Sequence, residues 1–176
     1  MSGHNKWSQI KYKKAITDTK KSKVFGKFSK LIAFESKKVE GNLASPALRA
    51  IIDRAKKENV TVDIIDRAIK KGSGGDAVSM ESVLFEAYGP GGCALVIDCL
   101  TDNRNRIVAE IKHTLSKRGL SLAGQGSALW AFHKSSSGWE PQTTVPLSEE
   151  DGQALGELLD ELGEHDDVQE VYTNAN

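Results

Sequence analysis

Apolar residues recur at helical spacing from about Tyr12 to Gly41. Val24, Phe28, Leu31, Ile32 and Val39 would line one face, and Lys13, Lys14, Lys20, Lys21, Lys23, Lys27, Lys30, Lys37 and Lys38 fill most of the remainder. Gly41-Asn42 ends this helix. Ser45-Pro46 opens the next, with serine as N-cap and proline at the first helical position. Leu48, Ile51, Ile52 and Ala55 form its core face, and Asn59 lies at its end. Thr61 caps a third helix carrying Ile64, Ile65, Ala68 and Ile69, and Gly72 closes it. Ser73-Gly74-Gly75-Asp76 then reads as a linker.

Beyond the linker the periodicity changes. Ser82 to Tyr88 and Cys93 to Thr101 are rich in Val, Ile, Leu and aromatics and flank Gly89-Pro90-Gly91-Gly92, a hairpin signal. Asp102 to Arg106 leads into a helix with Ile107, Val108, Ile111 and Leu115 on one side and Gly119 just past its end. Strands are expected at Ser127 to His133, Thr143 to Leu147 and Val168 to Tyr172. Ser148 caps an acidic helix bearing Leu155, Leu158, Leu159 and Leu162. The serine-bearing stretch Lys134 to Gly138 reads as a loop where chain could be inserted or removed. The expected fold class is α+β: an N-terminal three-helix module, then an antiparallel-sheet α/β sandwich in a ferredoxin-like arrangement. The expected division is 1–72 for the basic helical domain with its arm, 73–79 for the linker and 80–176 for the α+β domain.

Charge changes the picture more than composition does. The net charge of the 176-residue chain is zero. Yet Met1 to Lys71 holds 18 Lys and Arg against 7 Asp and Glu, while Gly72 to Asn176 holds 6 against 17. A basic half of this kind calls for an anionic partner, because a surface of one sign repels itself unless something screens it. Lysines facing phosphates release counterions and bind with little regard to base sequence. Trp7, Tyr12 and Phe25 are interleaved with them and are placed to stack on unpaired bases, with burial of Trp7 and Phe25 in the core as the competing reading. A second anion site is expected at Asp102-Asn103-Arg104-Asn105-Arg106, where a helix start would face phosphate; the competing reading is a simple Asx cap.

Other chemistry finds no support in the pattern. His4, His113, His133 and His165 are scattered, no hydrolase elbow or zinc-protease motif occurs, and catalytic residues, metal ligands, cofactors and small-molecule substrates are not expected. Gly89-Pro90-Gly91-Gly92 lacks the lysine of a phosphate loop. Cys93 and Cys99 share one parity along a strand and read as small buried thiols. No apolar run reaches membrane-spanning length, and the polar start lacks a secretory core, so a cytoplasmic protein without a membrane partner is expected. The acids between Glu149 and Glu170 read as an exposed helix face, and the segment 149–164 could meet a protein partner.

Several of these segments together resemble one family. Gly3-His4-Asn5-Lys6-Trp7-Ser8-Gln9-Ile10-Lys11-Tyr12-Lys13-Lys14 is similar to the opening of the YebC family, which includes a mitochondrial translational activator. Lys23-Val24-Phe25, Tyr88 to Gly92, Asp102 to Arg106, Gly126-Ser127 and Asp166 to Tyr172 continue the likeness in order. The resemblance implies a helical domain followed by an α/β domain interrupted by a third. It also implies DNA-binding transcriptional regulation or ribosome-associated translation, without enzymatic activity or cofactor. Family members are longer, and the inserted third domain is expected to be missing near 135–140. The sequence therefore predicts a non-enzymatic nucleic-acid-binding regulator, RNA- and ribosome-associated in the first reading, a DNA-binding transcriptional regulator in the second and a protein-interaction adaptor in the third. The contacting residues expected are Lys6, Trp7, Lys11, Lys13, Lys14, Lys20, Lys21, Lys23, Lys27, Arg104 and Arg106.

Overall fold

The structure is a computed structural model that describes residues 18–75, 79–136 and 138–176, with side chains from residue 21 onward. These fall into two compact units that divide at 81/82.

The first unit contains α1 (Asp18–Lys38), α2 (Pro46–Lys57) and α3 (Val62–Ser73). Ile32, Leu48, Ala55, Val60, Ile65 and Ala68 form its buried core, with Phe25 and Phe28 packed against it. Ser45 and Thr61 occupy the two N-cap positions, but neither hydroxyl makes a capping bond. Proline at the start of α2 compensates there, because it has no amide hydrogen to satisfy. Asn59, with φ of 61°, lets the chain leave α2, and Val60 N donates back to the Ala55 carbonyl at 3.0 Å.

The second unit contains β1 (Glu81–Tyr88), β2 (Ala94–Thr101), α4 (Arg104–Ser116), β3 (Phe132–Ser135), β4 (Gly138–Pro141), α5 (Glu149–Glu164) and β5 (Val168–Thr173). Its main sheet has the order β1-β2-β5, and β3 pairs with β4 in a separate hairpin. β2 runs antiparallel to β5 with Leu95 opposite Thr173 and Ile97 opposite Val171. The Gly89–Gly92 turn joins β1 to β2, closed by Gly89 N donating to the Cys93 carbonyl at 2.8 Å. So short a connection permits only antiparallel pairing.

Alternation along β2 sets the layers. Cys93, Leu95, Ile97 and Cys99 face α4 and α5, where they meet Ile107, Ile111, Leu115, Leu155, Leu158 and Leu162. Ala94 and Val96 face the other way, onto Ala128, Ala131, Phe132 and Trp139. β2 is thus covered on both faces and reads as a continuous apolar run. The expected class, α+β with an antiparallel sheet, is the one observed. Both cysteines are buried thiols outside any disulfide, and burial pushes the Cys93 thiol up.

Three expected elements differ. Ser127 to His133 is not one strand: a 3-10 turn at Leu129–Ala131 precedes β3, because the Ala128 and Leu129 amides donate to a side chain instead of a neighbouring strand. Thr143 to Leu147 forms only a single bridge, Val145 to Ala175, and the proline at 146 denies it a ladder donor. The stretch expected as a loop at Lys134 to Gly138 belongs to the β3–β4 hairpin, in which Ser135 pairs with Gly138.

Candidate nucleic-acid interface

The lysine-rich face belongs to α1. Lys21 is exposed, and Lys23, Lys27 and Lys30 are half-buried. Lys20 is on the same helix, at a position where only the backbone is described. Lys6, Trp7, Lys11, Lys13 and Lys14 lie outside the described residues. At the far end Lys38 pairs with Glu35 at 3.3 Å and sits 4.2 Å above the Phe34 ring. Between Asp18 and Gly75, the stretch that carries the three helices, there are 14 Lys and Arg against 7 Asp and Glu, twice as many cations as acids.

Glycine and serine fix how α1 meets α3. A Cβ at Gly72 would overlap the Ala33 carbonyl oxygen and lie 2.8 Å from the Ser36 Cβ, so only glycine permits this approach. The buried Ser36 hydroxyl donates to the Ile69 carbonyl at 2.8 Å. Towards Phe25 the same two helices part. Phe25, expected as either a stacking or a core residue, is half-buried: it packs on the core with one part and borders the opening with another.

The Asp102–Arg106 segment is a closed network. Asn103 caps α4 by accepting from Arg106 N at 3.1 Å. Thr101 Oγ1 accepts from Asn103 N at 3.0 Å and donates to Asp167 Oδ2 at 2.8 Å. The Arg106 guanidinium reaches the same Asp167 oxygen at 2.6 Å and Asp102 Oδ1 at 2.8 Å, with Glu110 at 3.9 Å. Asp167 is 6% exposed, and its hydrogen bond, followed by that of Asp102, holds the arginine even more firmly protonated than usual. Arg106, expected as a phosphate contact, is thus engaged by acids of its own unit. Three carboxylates surround it, and an incoming phosphate would meet their repulsion. The Asx cap is what the geometry contains. Arg104 is exposed on the first turn of α4.

The sequence reading missed one residue. Glu86 is buried in β1, and its carboxylate accepts from Gly126 N at 2.6 Å and from Ala128 N and Leu129 N at 2.8 Å each. Burial by itself pushes this carboxyl up, but the three amides outweigh it and hold it below the ordinary glutamate range. The anchored loop presents Trp130, 55% exposed, beside Tyr88, 38% exposed. Trp130 Nε1 donates to Tyr88 Oη at 3.2 Å, and Tyr88 Oη donates to the Ser127 carbonyl. An acid in the middle of an apolar strand was the available signal.

The remaining expectations concern α5 and the turn beside it. Ser148 caps α5 by accepting from Asp151 N at 3.1 Å. The Glu161 carboxyl is held below its usual range by Arg118 first and Lys117 second, so part of the acidic face is neutralised within its own unit. Gly91 lies where a Cβ would come 2.5 Å from Leu147, so the Gly-Pro-Gly-Gly turn is packed against the start of α5. Among the described residues no group of His, Cys, Asp or Glu could hold a metal ion, and no helix is long and apolar enough to cross a membrane.

Comparison with known proteins gives a consistent result. Residues 5–75 match the family model described as the TACO1/YebC protein N-terminal domain. Residues 80–137 and 132–175 match that of the TACO1/YebC second and third domain. A probable transcriptional regulatory protein of Geobacter sulfurreducens is 47% identical over 76% of this chain and 55% of its own length. One of Trichlorobacter lovleyi is 41% identical over 100% of this chain and 72% of its own. One of Fervidobacterium nodosum is 33% identical over 235 aligned positions, covering 99% of this chain and 93% of its own. The chain thus spans about half the length of the Geobacter relative. The crystal structure of a conserved hypothetical protein from Aquifex aeolicus superposes with a TM-score of 0.83 at 29% identity, covering 97% of this chain and 96% of that one.

Proposed function

This chain belongs to the TACO1/YebC family, and from that premise we propose that it is a cytoplasmic, non-enzymatic regulator of gene expression that binds RNA and acts in association with the ribosome. Binding runs through the helical unit and the lysines ahead of it, with Lys6, Lys11, Lys13, Lys14, Lys20, Lys21, Lys23 and Lys27 facing phosphates and Trp7 stacking or anchoring the segment. The observation that carries this reading is the twofold excess of cations over acids between residues 18 and 75, in three helices that pack their own apolar core. Such an excess is stabilised by a polyanion. Arg106 is not among the contacts, because Asp167 and Asp102 hold it.

RNA is favoured over duplex DNA on the form of the surface. The cations are lysines spread along a helix, without the polar side chains that read base edges from a recognition helix. The names of the bacterial relatives favour the second reading, a DNA-binding transcriptional regulator. We also take the family's inserted domain to be missing near 135–140, a reading supported by the two pieces matched to the second family model, 80–137 and 132–175, which overlap at 132–137. β3 pairs directly with β4 there.

Co-sedimentation of the full chain with ribosomes and with ribosomal RNA tests the reading. Binding should weaken by about a thousandfold or more between low and physiological salt, as expected when some six or more phosphates are contacted. Charge reversal at Lys13, Lys14, Lys20 and Lys21 together should abolish it. Unchanged binding in that variant refutes the proposal, and at least ~10³-fold preference for one duplex operator over random DNA would replace it with the transcriptional reading.

A further inference from the structure

A groove opens on the helical unit where α1 and α3 part. It encloses about 300 Å³ and is lined by Phe25, Gly26 and Ser29 of α1 and by Ile64, Arg67, Ala68 and Lys71 of α3. That volume sits at the small end of the range for ligand sites, about 300–1,000 Å³. Its walls are apolar, with the Ser29 hydroxyl on the α1 side. Arg67 and Lys71, both exposed, stand one turn apart on α3 and so share a face. Arg67 Nε donates to the Asp63 carbonyl at 3.1 Å, which ties the guanidinium to its own helix.

Gly26 is the telling residue. A glycine inside a helix costs about 1 kcal/mol relative to alanine. At Gly72 packing explains that cost, because a Cβ there would strike the Ala33 carbonyl. At Gly26 it does not: a Cβ would meet nothing within 4 Å. The space is left open in a groove also lined by Phe25, Arg67 and Lys71.

We propose that this groove is a nucleotide slot, which takes one unpaired base of a single-stranded nucleic acid against Phe25 and over Gly26, with the flanking phosphates on Arg67 and Lys71. The proposal rests on the nucleic-acid reading above and gives it a site. Charge decides the occupant. An apolar slot alone would equally take a protein side chain, but two cations at its rim, in a stretch of 14 cations and 7 acids, favour a flat apolar ring carried on a polyanion. A paired base could not enter, since its face is already stacked within a duplex.

The test uses the full chain and two fluorescent probes, a single-stranded 12-mer of adenylate and an inorganic polyphosphate of equal charge. Gly26→Leu fills the slot, and Gly26→Ala fills it in part. Both should leave melting temperature unchanged or higher, because each replaces an interior helical glycine. Gly26→Leu should weaken the oligonucleotide by about tenfold, the worth of one stacked base, and leave polyphosphate binding as it was. Gly26→Ala should fall between. Wild-type binding of the oligonucleotide that Gly26→Leu leaves intact overturns the slot while the broader reading stands. So does an equal loss for both probes. A wild-type chain that binds neither probe overturns the broader reading itself.

Discussion

The two units of this chain handle charge in opposite ways. In the α+β unit cations are drawn inward onto acids. Arg106 is shared by Asp167 and Asp102, and Lys117 and Arg118 close on Glu161. Its key carboxylate, Glu86, is satisfied by backbone amides from a loop some forty residues away. In the three-helix stretch 18–75 cations outnumber acids two to one and lie along α1 and beside an open groove. The first arrangement spends charge on holding the fold together. The second leaves charge over, and the fold there is held by apolar packing and by one close helix crossing. The two units therefore differ in the sign of their net charge, basic in the helical stretch and acidic in the α+β unit.

That contrast can be broken at single residues. The largest effect is expected at Glu86. Glu86→Gln sets an amide NH2 against backbone donors, leaving buried N–H groups unpaired, and should cost about 3 kcal/mol in urea denaturation. The pH dependence follows from the sign of the shift. The folded protein holds this carboxyl below its ordinary value. Its contribution is complete above the unfolded-state value of about 4.3 and is lost as pH falls through the lower folded value. Wild type should therefore lose this increment on acidification, and Glu86→Gln should not; identical acid profiles would count against the anchor.

A smaller effect is expected in the helical unit, where geometry and not charge is at stake. Gly72→Ala forces a Cβ onto the Ala33 carbonyl and should cost about 2 kcal/mol by overpacking, read as a lower thermal midpoint. A neutral outcome would mean that α1 and α3 separate freely. The smallest is expected at the lysines. Lys21→Glu should change stability by less than about 0.5 kcal/mol, as for an exposed position outside any buried network. A clear destabilisation there would mean that the lysine face supports the fold, and the contrast would fail.

Much of this was legible in the residue order because the signals are local. The lysine face, the three helices of the first unit and the apolar run of β2 each follow from spacing within a few residues. So did the parity that buries Cys93 and Cys99 on one face. Phe25 was legible only as a pair of alternatives, since one period cannot say whether a ring faces core or opening. The pairing of Arg106 was not legible. Its neighbours in sequence make a helix start, but the carboxylate that claims it is Asp167, 61 positions on. Glu86 was passed over for the same reason, and the strand expected at Ser127 to His133 was lost with it, because the amides that would have made the strand bond to that carboxylate.

The sequence by itself determined the two chemistries of the chain, basic helices and then an acidic α+β unit, and the family that carries them. Periodicity, capping residues and charge runs act over one or two turns, within reach of a linear reading. Only the tertiary structure decided which charges are consumed and which remain. Whether an arginine is available to a phosphate depends on acids brought beside it by folding. Whether a helical glycine marks a crossing or an open slot depends on what lies across from it, and the answers differ at Gly72 and Gly26.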